Sequence, residues 1–563
     1  MATKIDGVSF ARMLQRAAAN LRDHTGEIND LNVFPIPDGD TGDNMFLTLM
    51  GGVNAVESEN ASLAEVSRNA ANGMLFSARG NSGVILSQFF DGIAAGLNDI
   101  DVADSRQLSI AFRTGVKHAY NAVMKPIEGT ILTVAHDATE YACTTENQDA
   151  EEFLGSFIEE GKRSLDRTPD LLPMLKKAGV VDSGAAGLIC IVEGMFSALD
   201  DSKAADIKPI ENTSQTQAQE IDLNAFGPDD VLEFGYCTEL LVRLQNSKTD
   251  VKNFQVSTIT DFLQTIGDSI AAFTVDSIVK IHVHTPTPQK VLDFCQQYGE
   301  FLKIKIENMS LQHNSTISED NSPKENVTEA EENSEKNTDD NLEHKNFGFI
   351  AVACGGGIQD TFRQIGADVI VEGGQSMNPS AEDILKAFDK VNADTIFVFP
   401  NNSNVILAAQ QAAKLYKKAD VRIINSRTIG DGYAALSMMD PEITDADEME
   451  ALFKANMENV ITAEVSRCVR DADMQDVRVH KGDYIGFVGK EILSAVPNRR
   501  GAALAMCDKI DWKDHEICIL IAGVDSTPDE VEDIKNHIEK TQSVEVYCIE
   551  GKQDIYSYIL IVE

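Results

Sequence analysis

At 563 residues the chain is longer than one hydrophobic core usually organises, so several domains are expected. Its 90 acidic and 48 basic side chains give a net charge of −42, which excludes nucleic acid and anionic membrane surfaces as main partners but not a nucleotide held through a local cation. Nine scattered cysteines predict reduced thiols, and neither a secretory leader nor an apolar run of the ~18 residues needed to span a bilayer is visible, so a cytoplasmic protein is expected.

Phe10, Met13, Leu14, Ala17 and Leu21 recur at three- and four-residue spacing and predict an amphipathic helix. Further helices are predicted near 45–50, 64–74, 84–97 and 111–124, with almost no strand-like alternation. Residues 1–203 therefore read as an all-α bundle whose chemistry lies at its turns. In the first turn, Asn32-Val33-Phe34-Pro35-Ile36-Pro37-Asp38-Gly39-Asp40-Thr41-Gly42-Asp43-Asn44-Met45, three carboxylates stand within six residues. A short acidic turn entering a helix suits an oxygen-seeking cation such as Mg²⁺, whose remaining positions commonly hold substrate phosphates. The same residues would also serve as a plain helix cap. Ser77-Ala78-Arg79-Gly80-Asn81-Ser82-Gly83 leads into another helix with small residues and an arginine, as an anion site requires. The turns at 125–130 and 179–187 repeat the pattern. Singly each reads as a cap; together they predict helix starts converging at one end of the bundle.

Residues 204–222 form a polar linker, and the pattern then changes period. Strands are predicted at 234–244 and 277–285, with helices near 261–266 and 288–298, giving a small α+β domain over 223–312. His282 and His284 share a strand face, and Cys237 on a neighbouring strand would complete a zinc set; two histidines on a strand are also common as plain surface residues. Residues 313–345, rich in Glu, Asp, Asn and Ser, predict a disordered tether. From 346 to 563 strands alternate with helices, which predicts a parallel α/β sheet. Gly355-Gly356-Gly357 lacks the dinucleotide spacing and reads as a tight turn.

The segments 32–45, 78–88, 125–134 and 179–187 together resemble the nucleotide-binding domain of the dihydroxyacetone kinase family, and more narrowly the ATP-binding subunit of bacterial fatty acid kinase. The resemblance continues through 235–239, 280–285, 373–380 and 399–404, covering nearly the whole chain except the acidic tether. It implies an eight-helix antiparallel barrel with the nucleotide at one mouth. The family's metal-binding aspartates match Asp38 and Asp40. Where dihydroxyacetone kinases have a further aspartate this chain has Asn32, and Asp43 stands where fatty acid kinases usually have Thr, so it either joins the metal or faces away as a cap. Asn44, Met45, Asn81, Ser82, Gly129, Thr130 and Asp182, with Thr41 and Gly80 beside them, match positions near nucleotide. The resemblance further implies zinc on Cys237, His282 and His284, a homodimer formed through the middle domain, and a C-terminal domain similar in fold to a separate fatty-acid-carrier protein that it docks.

The implied reaction transfers a phosphoryl group from Mg·ATP to the carboxylate of a carrier-bound fatty acid, for phospholipid synthesis. Carboxyl pKa values near ~4–5 leave that nucleophile ionised, so no general base is needed. Asp38 and Asp40 would hold the cation, amides at 80–82 the phosphates, and Arg79 is the nearest basic side chain. A dihydroxyacetone-type kinase and a non-catalytic nucleotide-binding scaffold are the alternatives.

Overall fold

The computed structural model describes the chain apart from residues 1–3, 34–35, 37–38, 57–60, 145–148, 200–235, 246–247, 250, 252–253, 255–256, 264–265, 267, 276–277, 286, 309–343, 376 and 475–476. It divides into two compact units, one of Met1–Glu211 with Asp339–Glu563 and one of Asn212–Thr338. The tether and polar linker expected from the sequence lie largely outside the described residues.

The first unit begins with eight long helices among the described residues: α1 (Gly7–Asn29), α2 (Thr41–Asn54), α3 (Leu63–Ser77), α4 (Gly80–Gly96), α5 (Ser105–Asn121), α6 (Ile131–Thr144), α7 (Ala150–Leu171) and, after the six-residue α8 (Pro173–Ala178), α9 (Ser183–Ser197). Acidic residues start several of them. The carboxylates of Asp6, Asp104 and Asp149 accept backbone N–H bonds at the first turns of α1, α5 and α7. Long helices adjacent in sequence pack together, α7 meets α9, and α9 returns to α1, so the ring closes around Phe10, Leu14, Leu49, Phe89, Phe112 and Phe153.

Helix direction alternates around the ring. Strand β1 (Ile5–Asp6) pairs antiparallel with β2 (Val102–Ala103), bringing the starts of α1 and α5 together, and a Cβ on Gly7 would lie 2.2 Å from the Ala61 carbonyl just before α3. The starts of α2, α4, α6 and α9 meet at the opposite end. There Ser183 Oγ donates to Thr41 Oγ1 at 3.2 Å, and a Cβ on Gly184 would lie 3.4 Å from Ser82 Oγ and 3.5 Å from Ile131 Cβ. The glycine turns of the sequence thus share one mouth.

The remainder of this unit is α/β, but it is built on two sheets. The first is parallel: β7 (Lys345–Ala353), β8 (Val369–Glu372), β9 (Ala393–Phe399) and β10 (Asp420–Ile423), in the order β10-β9-β7-β8. The second is a mixed six-stranded sheet of β11 (Ile461–Arg467), β14 (Tyr484–Val488), β15 (Glu491–Val496), β16 (Ile517–Ala522), β17 (Glu545–Glu550) and β18 (Tyr556–Val562), in the order β15-β14-β11-β18-β16-β17. A short hairpin, β12 (Ala472–Met474) with β13 (Val477–Val479), stands apart. The expectation of one parallel sheet holds only for the first. Four of the five neighbour pairs in the second are antiparallel, and β14 and β15 are joined by a tight turn with Gly489 at φ +59°, so no crossover helix marks them in the sequence. The glycine run is a close approach: Gly355 has φ +92°, and a Cβ on Gly357 would lie 1.7 Å from the Glu550 carbonyl.

The second unit is an antiparallel sheet of β3 (Tyr236–Leu244), β4 (Asp268–Val275), β5 (Ile278–Thr285) and β6 (Gly299–Asn308), ordered β4-β5-β3-β6. Leu240, Val242, Val279, Ile281 and Val283 alternate along two strands and pack with Ile259 and Leu263 of α10 (Ser257–Leu263) and Val291 and Cys295 of α11 (Pro288–Cys295). Alternation in the sequence marked only β3 and β5 of these four strands. It also placed the first helix at 261–266, four residues later than it begins. Among the described residues no helix is long and apolar enough to cross a membrane.

Ring closure rests on Gly194 of α9, where an added Cβ would lie 2.6 Å from Ala17 Cα. Gly194→Val is expected to lower unfolding free energy by about 1–3 kcal/mol in urea titration, the cost of overpacking. Gly26→Ala, at a position with nothing within 4 Å of the new methyl, is expected to raise it by up to about 1 kcal/mol.

Candidate active site

The acidic turn runs from the end of α1 to the start of α2, and polar side chains tie its flanks. Asn29 Oδ1 accepts from the Gly42 amide at 2.7 Å, while Asn29 Nδ2 donates to Asp43 Oδ2 at 2.7 Å. Asn32 Oδ1 accepts from Thr41 Oγ1 at 3.1 Å and from Ser183 Oγ at 3.4 Å. Asn32 is thereby committed to the helix starts of α2 and α9. Asp40 is the residue that caps α2, but its carboxylate makes no capping bond. Asp43 lies in the first turn, exposed and held by Asn29, so it is not the cap the sequence allowed for. Asp38 lies outside the described residues.

Asp40 is largely buried, and that burial, reinforced by the nearby Asp43 charge, pushes its carboxyl up to about 6 against amide donation from Asn44 and Asn378. A desolvated carboxylate flanked by side-chain amides is a donor set that a divalent ion completes.

Asn378 is the unexpected neighbour. It lies 338 residues along the chain, in the segment between β8 and the helix Ala381–Phe388, and its Nδ2 donates to Asp40 Oδ2. The same residue's carbonyl accepts from Arg79 Nη1 at 2.7 Å, and Arg79 Nη2 reaches Asp383 at 3.4 Å. Burial opposes the Asp383 charge, but hydrogen bonds from Ser380 and the charges of Arg79 and Lys386 outweigh it and hold the carboxyl below its ordinary value. Arg79 is therefore committed to a clasp between the helical ring and the α/β part. The sequence offered it as a phosphate cation, or as a partner to an acid of the bundle; its acid partner comes from outside the bundle. The clasp extends through Ala381 N to the Ala78 carbonyl (3.2 Å), Asn81 Nδ2 to Asn404 Oδ1 (3.1 Å) and Gln411 to the Leu75 carbonyl.

Gly80 starts α4 at φ +58°, and a Cβ there would lie 2.6 Å from Asn44 Nδ2, so only glycine lets the α4 start meet α2. Thr48 joins the same two helices, accepting from the Arg79 amide and donating to the Asn44 carbonyl. Met45 is fully buried against Gly187 and belongs to the core. The Gly129 amide donates to Thr133 Oγ1, and Thr130 Oγ1 donates to the Ile127 carbonyl. Asp182 caps α9 through the Ala185 amide at 2.8 Å; burial raises its carboxyl to about 6 despite that bond and one from the Ile131 amide.

A cleft of about 680 Å³ opens between the mouth of the ring and the α/β part, of a size usual for small-molecule sites. Asn32, Asp40, Thr41, Asn44, Asn81 and Ser82 line one wall; Gln375, Ser403, Asn404, Arg427, Thr428, Glu464 and Lys490 line the other. Arg427 and Lys490 are the cations of this cleft among its described lining, and neither was singled out from the sequence. The asparagine-rich 401–404 segment was the available signal for Asn404; nothing in the sequence joins Asn378 to Asp40.

In the second unit, strand register sets Cys237 opposite His284 and Glu239 opposite His282. The side chains of Cys237, His282 and His284 lie outside the described part. Among the described residues no group of three or more His, Cys, Asp or Glu side chains is placed to hold a metal ion.

Three family descriptions match the chain in order: the DAK2 domain over residues 35–197, the FakA-like (fatty acid kinase) middle domain over 233–316, and the FakA-like C-terminal region over 348–563. Protein YloV of Bacillus subtilis is 38% identical over 566 residues, covering 99% of both chains. The chain belongs to the FakA-like fatty acid kinase family. An uncharacterized protein of Staphylococcus saprophyticus is 35% identical over 567 residues, covering all of both chains. Among solved structures, the dihydroxyacetone kinase from C. freundii in complex with AMP-PNP and Mg²⁺ aligns over 33% of each chain at 18% identity and a TM-score of 0.27. DegV, a fatty acid binding protein from Bacillus subtilis, aligns over 39% of this chain and 99% of its own at 11% identity and a TM-score of 0.30.

In this family member the Arg79–Asp383 pair keeps partial access to water. A double-mutant cycle with Arg79→Met and Asp383→Asn, read by urea unfolding, is expected to give a coupling of about 0.2–1 kcal/mol. A coupling above about 2 kcal/mol would mean the pair is desolvated in solution.

Proposed function

We propose that the chain is an ATP-dependent kinase whose acceptor is the carboxylate of a fatty acid presented by a separate carrier protein, the product being an acyl phosphate for phospholipid synthesis. The observation that carries this reading is the cleft itself: buried Asp40 and the helix starts at Asn44 and Ser82 face Arg427 and Lys490 across one space. The family descriptions, which name fatty acid kinase, support the same choice of acceptor.

Asp38 and Asp40 would hold Mg²⁺ together with the nucleotide. The bound ion would supply charge neutralisation, drawing phosphate oxygens and an incoming anion together. The chain's residues do the rest. Amides at the start of α4, freed by Gly80 for close approach, offer N–H donors to phosphate oxygens, and the α2 start presents Thr41 and Asn44 beside them. Arg427 and Lys490 balance Asp40 and Glu464 in the cleft, so an anionic acceptor meets little net repulsion in a chain of charge −42. A fatty acid carboxylate arrives ionised, so the site works by positioning and electrostatics without a base.

The middle unit is proposed to carry zinc on Cys237, His282 and His284 and to pair two chains. The register supports the ligand set, since it puts Cys237 directly opposite His284 with His282 two residues away.

Incubation with Mg·ATP and a fatty-acid-loaded carrier such as DegV, with hydroxylamine to trap acyl phosphate, is expected to yield the hydroxamate, and Asp40→Asn to lower its rate at least a hundredfold. Phosphorylation of dihydroxyacetone with no hydroxamate would refute the acceptor. For zinc, elemental analysis of purified protein is expected to give about one ion per chain and a clear loss in His284→Ala; equal zinc in both proteins would remove the site.

A further inference from the structure

The acidic turn is held at three places by a part of the chain more than 300 residues away. Arg470 Nη1 donates to the Asp30 carbonyl at 2.6 Å where the turn begins. In its middle, Ile36 is 4% exposed and joins the apolar cluster of Phe349, Phe487, Ile519 and Tyr556, a core that belongs to the α/β part. At its end, Asn378 Nδ2 donates to Asp40 Oδ2. The loop that would carry the cation is thus shaped by the C-terminal domain as much as by the helices it connects.

Asn378 is built for such a role. It is 1% exposed, and its backbone is fixed on both sides: its carbonyl accepts from Arg79, and Ser380 two residues on caps the next helix in a capping box with Asp383. A carboxylate oxygen only accepts, so the amide nitrogen must be the atom facing Asp40. One oxygen of Asp40 is then engaged, and the other remains available to an ion. The Asn378 Oδ1, buried, has no hydrogen-bond partner among the described residues, an acceptor that a water on a bound ion would satisfy.

We infer that Asn378 is a positioning residue supplied by the C-terminal domain, orienting the Asp40 carboxylate for a divalent cation through a bond across the domain boundary. This rests on the proposed cation role of Asp40. Hydrogen-bond partners that fix a metal ligand typically change metal affinity ten- to a hundredfold when removed, because the ligand loses its orientation as well as its charge stabilisation. The consequence is that cation affinity reports on seating of the C-terminal domain, so a partner that shifts the 373–380 segment would alter the metal site without touching the helical ring.

The test uses the full-length chain and Mn²⁺ with AMP-PNP, free Mn²⁺ being counted by electron paramagnetic resonance. Asn378→Leu, close in size but without a donor, is expected to weaken Mn²⁺ binding at least tenfold, and Asn378→Ser, which keeps a hydroxyl donor, by less. Gln411→Ala cuts another contact of the same clasp, away from Asp40, and is expected to leave Mn²⁺ affinity within twofold of wild type. Wild-type affinity in Asn378→Leu, tighter binding there, or an equal loss in Gln411→Ala would each overturn the assignment. Should Asn378→Leu fail to fold, the comparison of Asn378→Ser with Gln411→Ala decides. A wild-type chain that binds Mn²⁺ but forms no hydroxamate would refute the carboxylate acceptor and leave this result standing.

Discussion

The constraint that organises this molecule is the burial of a carboxylate, Asp40, in a chain already far too negative. Burial raises its carboxyl to about 6, and Asp43 three residues away adds to the difficulty. Such a group persists because donors surround it. Asn44 comes from its own helix and Asn378 from another domain, while Asn29 takes up the Asp43 charge. The four helix starts at the same mouth add the positive ends of their dipoles. Each device stabilises an anion, and together they suit an ion that binds carboxylate and phosphate at once.

That arrangement fixes what the C-terminal domain has to be. The helical ring closes on itself and needs no second domain to complete its core, since α9 returns to α1. The acidic turn is different: Ile36 has its apolar neighbours in the α/β part, and the Arg79 guanidinium has its acid there. The C-terminal region therefore forms a wall of the site, and a carrier docking on it would act on a surface continuous with the metal loop. Arg427 shows how the wall is set. Its amide and that of Thr428 donate to the Asp431 carboxylate, which pins the backbone while the exposed side chain faces the cleft.

Much of this was legible in sequence. Periodicity gave the helices of the ring, because an apolar stripe at 3.6-residue spacing is a local signal, and glycine turns ahead of apolar runs gave the four starts that converge. The strands β7 to β10 were legible for the same reason: each is a short apolar run bounded by helices. What was lost is non-local. The second sheet pairs β11 with β18 and β16 with β18, contacts between strands up to about a hundred residues apart that leave no fixed spacing. Arg79 looked like a phosphate ligand because its turn has the right residue types; the acid that claims it, Asp383, is 304 residues on. Asn378 carries no local mark at all.

A site split between distant segments has a physical use for this chemistry. Transfer between two anions needs no base but demands close charge balance at short range, and water admitted too early would hydrolyse the nucleotide. If the cation's ligands are shaped only when the C-terminal wall is seated, the positive charge needed for transfer is assembled together with the surface that receives the acceptor. The ring alone would then hold acids and helix starts but lack Asn378, Arg427 and Lys490. The division between the two halves of the cleft is a division between holding the donor and permitting the transfer, and the Asn378–Asp40 hydrogen bond is where the two meet.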